Sequence, residues 1–378
     1  MCGQHAYVCF AHPARRRLTA WRIKRSAACT PVRARRAYNA ESCQPRLTCF
    51  AVAAYWPFFS NLLADSHVRT HDPWKANLFY IPAFTYSVTS NGLPPHEYIR
   101  RVLRFIQAEY PALWARRGGR DHIVWAPGDR GACPLPPDLA PLIWLVHFGQ
   151  EHVAPDGGNL PAGADLRNAS LASCFDPQRG IVAPPLVPDA AALANATFSP
   201  GAPEPERTTL LFFAGGTRME NPEYSQGVRQ QIWTLYHNRT ADGYQIHERV
   251  GNMGDEMRRS RFCLAPSGHG WGIRIVHAVA AGCVPVVIQD GVHQPYDDVL
   301  PYDAFSLRLP QSDVAQLDAV LRGVSDLELR VLQAGVRRFH RAFLWAPARP
   351  DATAYPGEAY QWLIKSLHRR LHNILAGF

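Results

Sequence analysis

Arg261 to Asp290 reads RFCLAPSGHGWGIRIVHAVAAGCVPVVIQD, and this stretch decides the fold. Phe262 to Ala265 is a short apolar run closed by Pro266, as a buried parallel strand requires. SGHGWG follows, with Gly268, Gly270 and Gly272 letting the backbone turn sharply and approach a ligand. Ile273 to Ala281 carries helical spacing and stops at Gly282, and CVPVVI is the next buried strand. The unit is strand, loop, helix, strand. A glycine turn feeding a helix start suits an anion, because free N–H groups and the helix dipole converge there. Ser267, Gly268, His269, Gly270, Trp271 and Gly272 are therefore candidate phosphate contacts, with Arg274 in the first helical turn as a fixed positive partner. The glycines do not match the dinucleotide spacing, no acidic residue stands where a ribose would need it, and no GxxxxGK[ST] occurs. Taken alone, such a turn is more often only a tight connection; Arg274, Trp271 and the flanking buried strands favour a phosphate site.

In its wider setting the unit is recognisable. FCLAPSGHGWGIRIVHAVAAGCVPVVIQDGVHQPYDDVLPYDAFSLRL resembles the exostosin-like glycosyltransferases, especially the plant and green-algal branch. DPWKANLFYIP from Asp72, GGRDHIVWAPGDRGAC from Gly118, LLFFAGGTR from Leu210 and YSQGVRQQIW from Tyr224 match in the family's order, so the resemblance covers residues 55 to 345. It implies a GT-B fold, an α/β architecture of two Rossmann-like domains facing a central cleft. It also implies transfer of a sugar from a nucleotide donor, usually a uridine diphosphate sugar, with inversion at the anomeric carbon. The acceptor would be a glycan or glycoprotein, and the location Golgi lumen or membrane-associated.

Bulk properties fit two α/β domains, since 378 residues suffice for two cores. The net charge of +9 comes wholly from residues 1–50, where nine Arg and one Lys face only Glu41. The balanced remainder shows no basic stripe, so nucleic acid is not an expected partner. Association with itself or with related transferases stays open. Residues 1–46 match nothing familiar and show no opening strand, leaving a disordered tail, a targeting segment or an error in the gene reading as alternatives. Leu47 to Ala64 is uncharged and follows arginines like a signal-anchor, but Pro57, Ser60 and Asn61 make it read as a buried domain helix.

The remaining organisation follows from pattern. NLFYIPAF, HIVWAP and LIWLVHFG are strands of an N-terminal, acceptor-side domain over 47–182, with a helix through Tyr98, Val102, Phe105, Ile106 and Tyr110. A proline-dense linker occupies 183–206, and a nucleotide-sugar domain spans 207–345. The tail, 346–378, places Leu363, Leu367, Leu371 and Leu375 on one helical face, which in GT-B proteins packs back on the first domain. No CxxC pair appears, so a zinc site is not expected. Cys263 and Cys283 read as free thiols packed in strands, whereas Cys133 and Cys174, in loops, can pair in an oxidising compartment. Three glycosylation sequons, at Asn168, Asn195 and Asn238, are compatible with a lumenal protein.

Individual candidates carry specific chemistry. Gly215, Gly216 and Arg218 follow a strand where GT-B enzymes bring backbone to donor phosphates. Metal-independent transfer needs cations on the departing diphosphate, the role for Arg274. His277 lies one turn on from Arg274, where many relatives carry a glutamate suited to a ribose or sugar hydroxyl. Inversion needs a base facing the cleft from the first domain. Asp129, just past HIVWAP in a GDRG loop, and His122, at its start, are the candidates. No DxD appears in the donor segments, and Asp297-Asp298 lacks a third ligand, so neither a metal nor a cofactor beyond the nucleotide sugar is called for. Two other readings stand beside an inverting transferase. One is a catalytically silent relative binding nucleotide sugar or glycan as a partner; the other is a dinucleotide oxidoreductase, disfavoured by the glycine spacing.

Overall fold

The computed structural model describes the strand Val8–Phe10 and residues 54–377 apart from 86–95, 134–136, 140, 155–159, 161–164, 166–167, 169–170, 222, 269, 271 and 348–356. Two separate sheets organise the chain. The first uses β1 (Val8–Phe10), β2 (Arg69–Thr70), β3 (Leu78–Tyr80), β4 (His122–Ala126), β5 (Ile143–Val146) and β6 (Ile181–Val182), in the order β2-β1-β3-β4-β5-β6. From β3 to β6 neighbours run parallel, while β1 is antiparallel to both β2 and β3. The second is wholly parallel: β7 (Thr209–Ala214), β8 (Tyr244–His247), β9 (Ser260–Pro266), β10 (Val284–Ile288) and β11 (Leu307–Arg308), ordered β8-β7-β9-β10-β11. Two such α/β units make the GT-B arrangement.

Several expectations need correction. The opening strand exists: β1 lies inside the basic N-terminal segment, where the short apolar run YVCF suits a strand. Cys263 and Cys283 are not free thiols but form a disulfide between neighbouring parallel strands, and Cys133 pairs with Cys174. The proline-dense segment 183–206 holds the helix α3 (Ala190–Phe198), whose Ala190 and Ala194 enter the core because small side chains let the helix sit close. The helix α2 (His96–Glu109) buries Ile99, Leu103 and Ile106 with Tyr98 and Val102 packed beside them, so the expected stripe holds except at Phe105, which is exposed. Residues 55 to 64 form α1 (Tyr55–Ala64), with Tyr55, Phe58, Asn61 and Leu62 buried against the first sheet and no charge on it. No helix among the described residues is long and apolar enough to cross a membrane.

Two devices join the sheets. A short antiparallel ribbon pairs Gly149–Gln150, just past β5, with Val292–His293, just past β10. His293 Nε2 meets Glu151 Oε1 at 2.6 Å across it. The last helix, α6 (Ala359–Leu375), touches both halves: the Tyr360 hydroxyl donates to Asp65, and buried Arg370 donates to the Gly180 carbonyl at 2.7 Å and pairs with Asp298 at 3.1 Å. Its leucine face is graded, since Leu363 and Leu367 are buried while Leu375 is exposed.

Arg370→Ala should lower the melting temperature by several degrees. Removing one member of a buried ion pair costs about 3–5 kcal/mol, because the partner is left uncompensated. Calorimetric scans of the purified variant check this, and an unchanged transition would show that α6 does not hold the halves together.

Candidate active site

The second sheet delivers its loops to one edge. After β7 the chain turns through Gly215 and Gly216, and after β9 through Ser267 and Gly268 to Gly272, which caps the helix α5 (Ile273–Ala280) with φ 56°. Gly270, at φ 89°, is left-handed as well, a conformation that costs glycine nothing. His269 and Trp271 lie outside the described residues. The Ser267 N–H donates to the Ile288 carbonyl at 3.0 Å, which fixes where the loop leaves the sheet.

Three guanidinium groups converge on these loops. Arg274 is half-buried: its Nη1 contacts the Met253 sulfur at 3.3 Å, and its Nη2 lies 3.2 Å from where a side chain on Gly215 would begin. Its Nε is buried without a hydrogen bond among the described residues. Arg218, at φ 51°, lies over the Tyr224 ring at 4.5 Å. The third is Arg229, on α4 (Val228–Tyr236), which sequence reading missed although YSQGVRQQIW had been singled out as a landmark. Arg229 is buried and donates to the Ser267 carbonyl (2.9 Å), the Gly216 carbonyl (3.1 Å) and the Tyr224 hydroxyl (2.8 Å). One side chain thus ties both glycine loops together. Its only sequence signal is position, in the first turn of a helix entered through three left-handed residues, Ser225, Gln226 and Gly227.

The electrostatics are one-sided. Among the described residues none of the three arginines meets a carboxylate. Burial pulls the Arg229 and Arg274 guanidiniums below their ordinary values, and Arg274 and Arg218 both push Arg229 further down. Cations held in this way at a helix start favour an anion with several oxygens, which would restore the missing hydrogen bonds.

The first half meets these loops through Asp129. It lies in the turn that follows β4, and Gly131 brings that turn against the Phe148 carbonyl so closely that a side chain there would begin 2.1 Å from it. The Cys133–Cys174 disulfide closes the loop two residues further on. Across the gap, a side chain on Gly270 would begin 2.7 Å from Asp129 Oδ1, so carboxylate and donor-side loop face each other directly. Burial raises the Asp129 carboxyl above its ordinary value, towards a general base. A small recess between the halves is lined by Phe148, Gln150 and Leu160 from the first half and Ser225, Ser267 and Gly268 from the second.

Two candidates are placed otherwise. His122 is fully buried at the opposite, N-terminal end of β4, between Phe79 and Trp114, with its Nδ1 2.8 Å from Asp121 Oδ1. Asp121 is in turn held by Arg116 at 2.7 Å and Arg117 at 3.4 Å. The assignment of His122 as a base is therefore corrected to a packing residue, because a parallel sheet presents its loops at the other edge. His277 is buried on α5 and bonded at 3.1 Å to exposed Asp189, just ahead of α3, so its Nε2 is engaged by the inter-sheet segment. Burial lowers its pKa, with Asp189 acting against that. Asp297 pairs with Arg308 and Asp298 with Arg370, and the described residues contain no cluster of metal-ligating side chains.

Comparison with known proteins places the chain in a family. The family model for the exostosin GT47 domain matches residues 30–324. A probable glucuronosyltransferase of Oryza sativa subsp. japonica is 30% identical over 336 residues, covering 83% of this chain and 73% of that one. The probable beta-1,4-xylosyltransferase IRX10 of Arabidopsis thaliana is 28% identical over 334 residues, covering 83% and 74%. Among solved structures, AviGT4, a glycosyltransferase involved in avilamycin A biosynthesis, overlays with a TM-score of 0.33 and 15% identity over 66% of this chain and 74% of that one, a level from which no residue correspondence follows. The chain is a glycosyltransferase and belongs to the exostosin GT47 family. The match begins inside the basic N-terminal segment, so residues 30–46 are part of the family domain.

Arg229→Ala should weaken binding of a nucleoside diphosphate at least tenfold, the scale of one lost charged hydrogen bond, about 1.5–3 kcal/mol. Arg229→Lys should fall short as well, because lysine keeps the charge but not the fork that spans Gly216 and Ser267. Calorimetric titration decides it: wild-type affinity in the lysine variant would mean that charge alone matters here.

Proposed function

We propose that this chain moves a glycosyl group from a uridine diphosphate sugar to a hydroxyl of a glycan or glycoprotein acceptor, with inversion at the anomeric carbon. The observation that carries the reading is the meeting of Asp129 with the Gly270 loop. It sets a half-buried carboxylate, its pKa raised by burial, opposite a cation-lined candidate anion site. In the proposed reaction Asp129 takes the proton from the acceptor hydroxyl as that oxygen bonds to the anomeric carbon. The bond from that carbon to the diphosphate breaks, and its electron pair leaves on the β-phosphate oxygen. Arg218, Arg229, Arg274 and the start of α5 then hold the released charge. Gly215, Gly216, Ser267, Gly268, Gly270 and Gly272 supply backbone contact. With three cations in place, the proposed reaction calls for no resident metal. The names of the relatives favour a glucuronosyl or xylosyl group as the one transferred. Two disulfides favour an oxidising lumen such as the Golgi as its place of work.

Asp129→Asn should keep nucleotide affinity while lowering transfer about a hundredfold to ten-thousandfold. In the wild type, kcat/KM should fall on acidification. Burial raises the Asp129 pKa, so the fall comes at a higher pH than for an ordinary aspartate, and protonation removes the base. Normal transfer by the asparagine variant would sink the assignment.

Arg274→Ala should weaken uridine diphosphate binding at least tenfold, measured by calorimetry with excess chelator present. Unchanged affinity refutes the donor site. Loss of wild-type activity on chelation, restored by manganese or magnesium, refutes the metal-free reaction.

A further inference from the structure

Beyond the reaction centre, the first half carries a feature that the transfer chemistry does not use. Phe84 stands in the left-handed region at φ 48°, a strained state for a bulky aromatic residue. Its ring is held by Tyr55 at 5.2 Å and Phe59 at 5.5 Å. On the outside of this pair lies Trp56, 6.1 Å from Phe84 and 6.3 Å from Phe59, with 62% of its surface in water.

The placement is fixed from below. The Ala54 N–H, at the start of α1, donates to His147 Nε2 at 3.0 Å, while His147 Nδ1 bonds to the Ala183 carbonyl. Burial pushes His147 down to about 4, so the ring stays neutral and keeps Nε2 as the acceptor. His147 follows β5, and Phe84 follows β3, which pairs in parallel with β4 through Tyr80 and Ile123. Phe84 and Asp129 therefore leave neighbouring strands at the same edge. Among the described residues the other exposed large aromatics lie elsewhere: Trp74 precedes β3 at the opposite edge, and Phe105 is on the outer face of α2.

We propose that Trp56, backed by Phe84 and Phe59, is a stacking platform for a pyranose ring of the acceptor glycan, one or more residues back from the hydroxyl that receives the sugar. A pyranose presents a flat face of C–H groups, and an exposed indole offers an apolar face that water solvates poorly. The occupant is argued from continuity with the Asp129 loop, where the acceptor hydroxyl must arrive. The platform rests on the proposed transfer reaction for the identity of its ligand.

The test titrates the full chain with xylohexaose, cellohexaose and β-1,4-galactotetraose in the presence of saturating uridine diphosphate, and measures nucleotide affinity separately. At least one oligosaccharide should bind the wild type. Trp56→Ala should weaken that binding about tenfold or more, the scale of a lost stack on an aromatic side chain, with nucleotide affinity unchanged. Phe84→Gly, which tolerates the left-handed backbone, should act in the same direction. Binding of none of the three sugars, or equal binding by the alanine variant, overturns the platform. So does a sedimentation shift from dimer to monomer in Trp56→Ala, which would make the patch a contact between copies. Loss of nucleotide binding in the wild type would instead strike the donor site and leave the sugar titration readable.

Discussion

The second half is built around positive charge that its own residues leave uncompensated. Arg229 sits in the interior, where an unpaired guanidinium is expensive, and it is tolerated because two loop carbonyls and a tyrosine hydroxyl take the donors of Nε and Nη1. In doing so it sets the spacing of the loops after β7 and β9. That spacing determines where Arg274 and the start of α5 can reach. Remove this one side chain and the proposed anion site would lose its shape before it lost its charge.

What could be read in the sequence follows from how each feature is encoded. The central strands of the second sheet are continuous apolar runs, buried on both faces, so they announce themselves. The edge strand β8, YQIH, alternates over only four residues and passed unnoticed. β1 was missed because its neighbours are basic and it pairs antiparallel, far from the strand that it extends. The Cys263–Cys283 bond depends on β9 and β10 being side by side, which no spacing rule for cysteine records.

The site shows the same division. The turns at Gly215, Gly216, Gly268, Gly270 and Gly272 were legible as turns because glycine clusters before helices have a local cause. Arg229 was not, because its role arises only when a separate helix is folded against both loops. His122 illustrates the converse error: a histidine next to an aspartate has the look of catalysis, but its place in the strand puts it among Phe79 and Trp114. Asp129 gained weight from contact with Gly270, a relation between residues from different halves that no one-dimensional pattern carries.

The ribbon between Gly149–Gln150 and Val292–His293 has a mechanical meaning. If donor and acceptor meet between Asp129 and the Gly270 loop as proposed, the halves must part to admit them. A ladder of backbone hydrogen bonds resists sliding along its length but yields to twisting about it, so such an opening would turn about the ribbon. Gly149 lies at the tightest point of that pivot, where a side chain would begin 2.4 Å from Val182 and 2.9 Å from His293. Any bulk there would work like a pebble in a door hinge, leaving the chemistry intact but the mouth of the enzyme unable to shut.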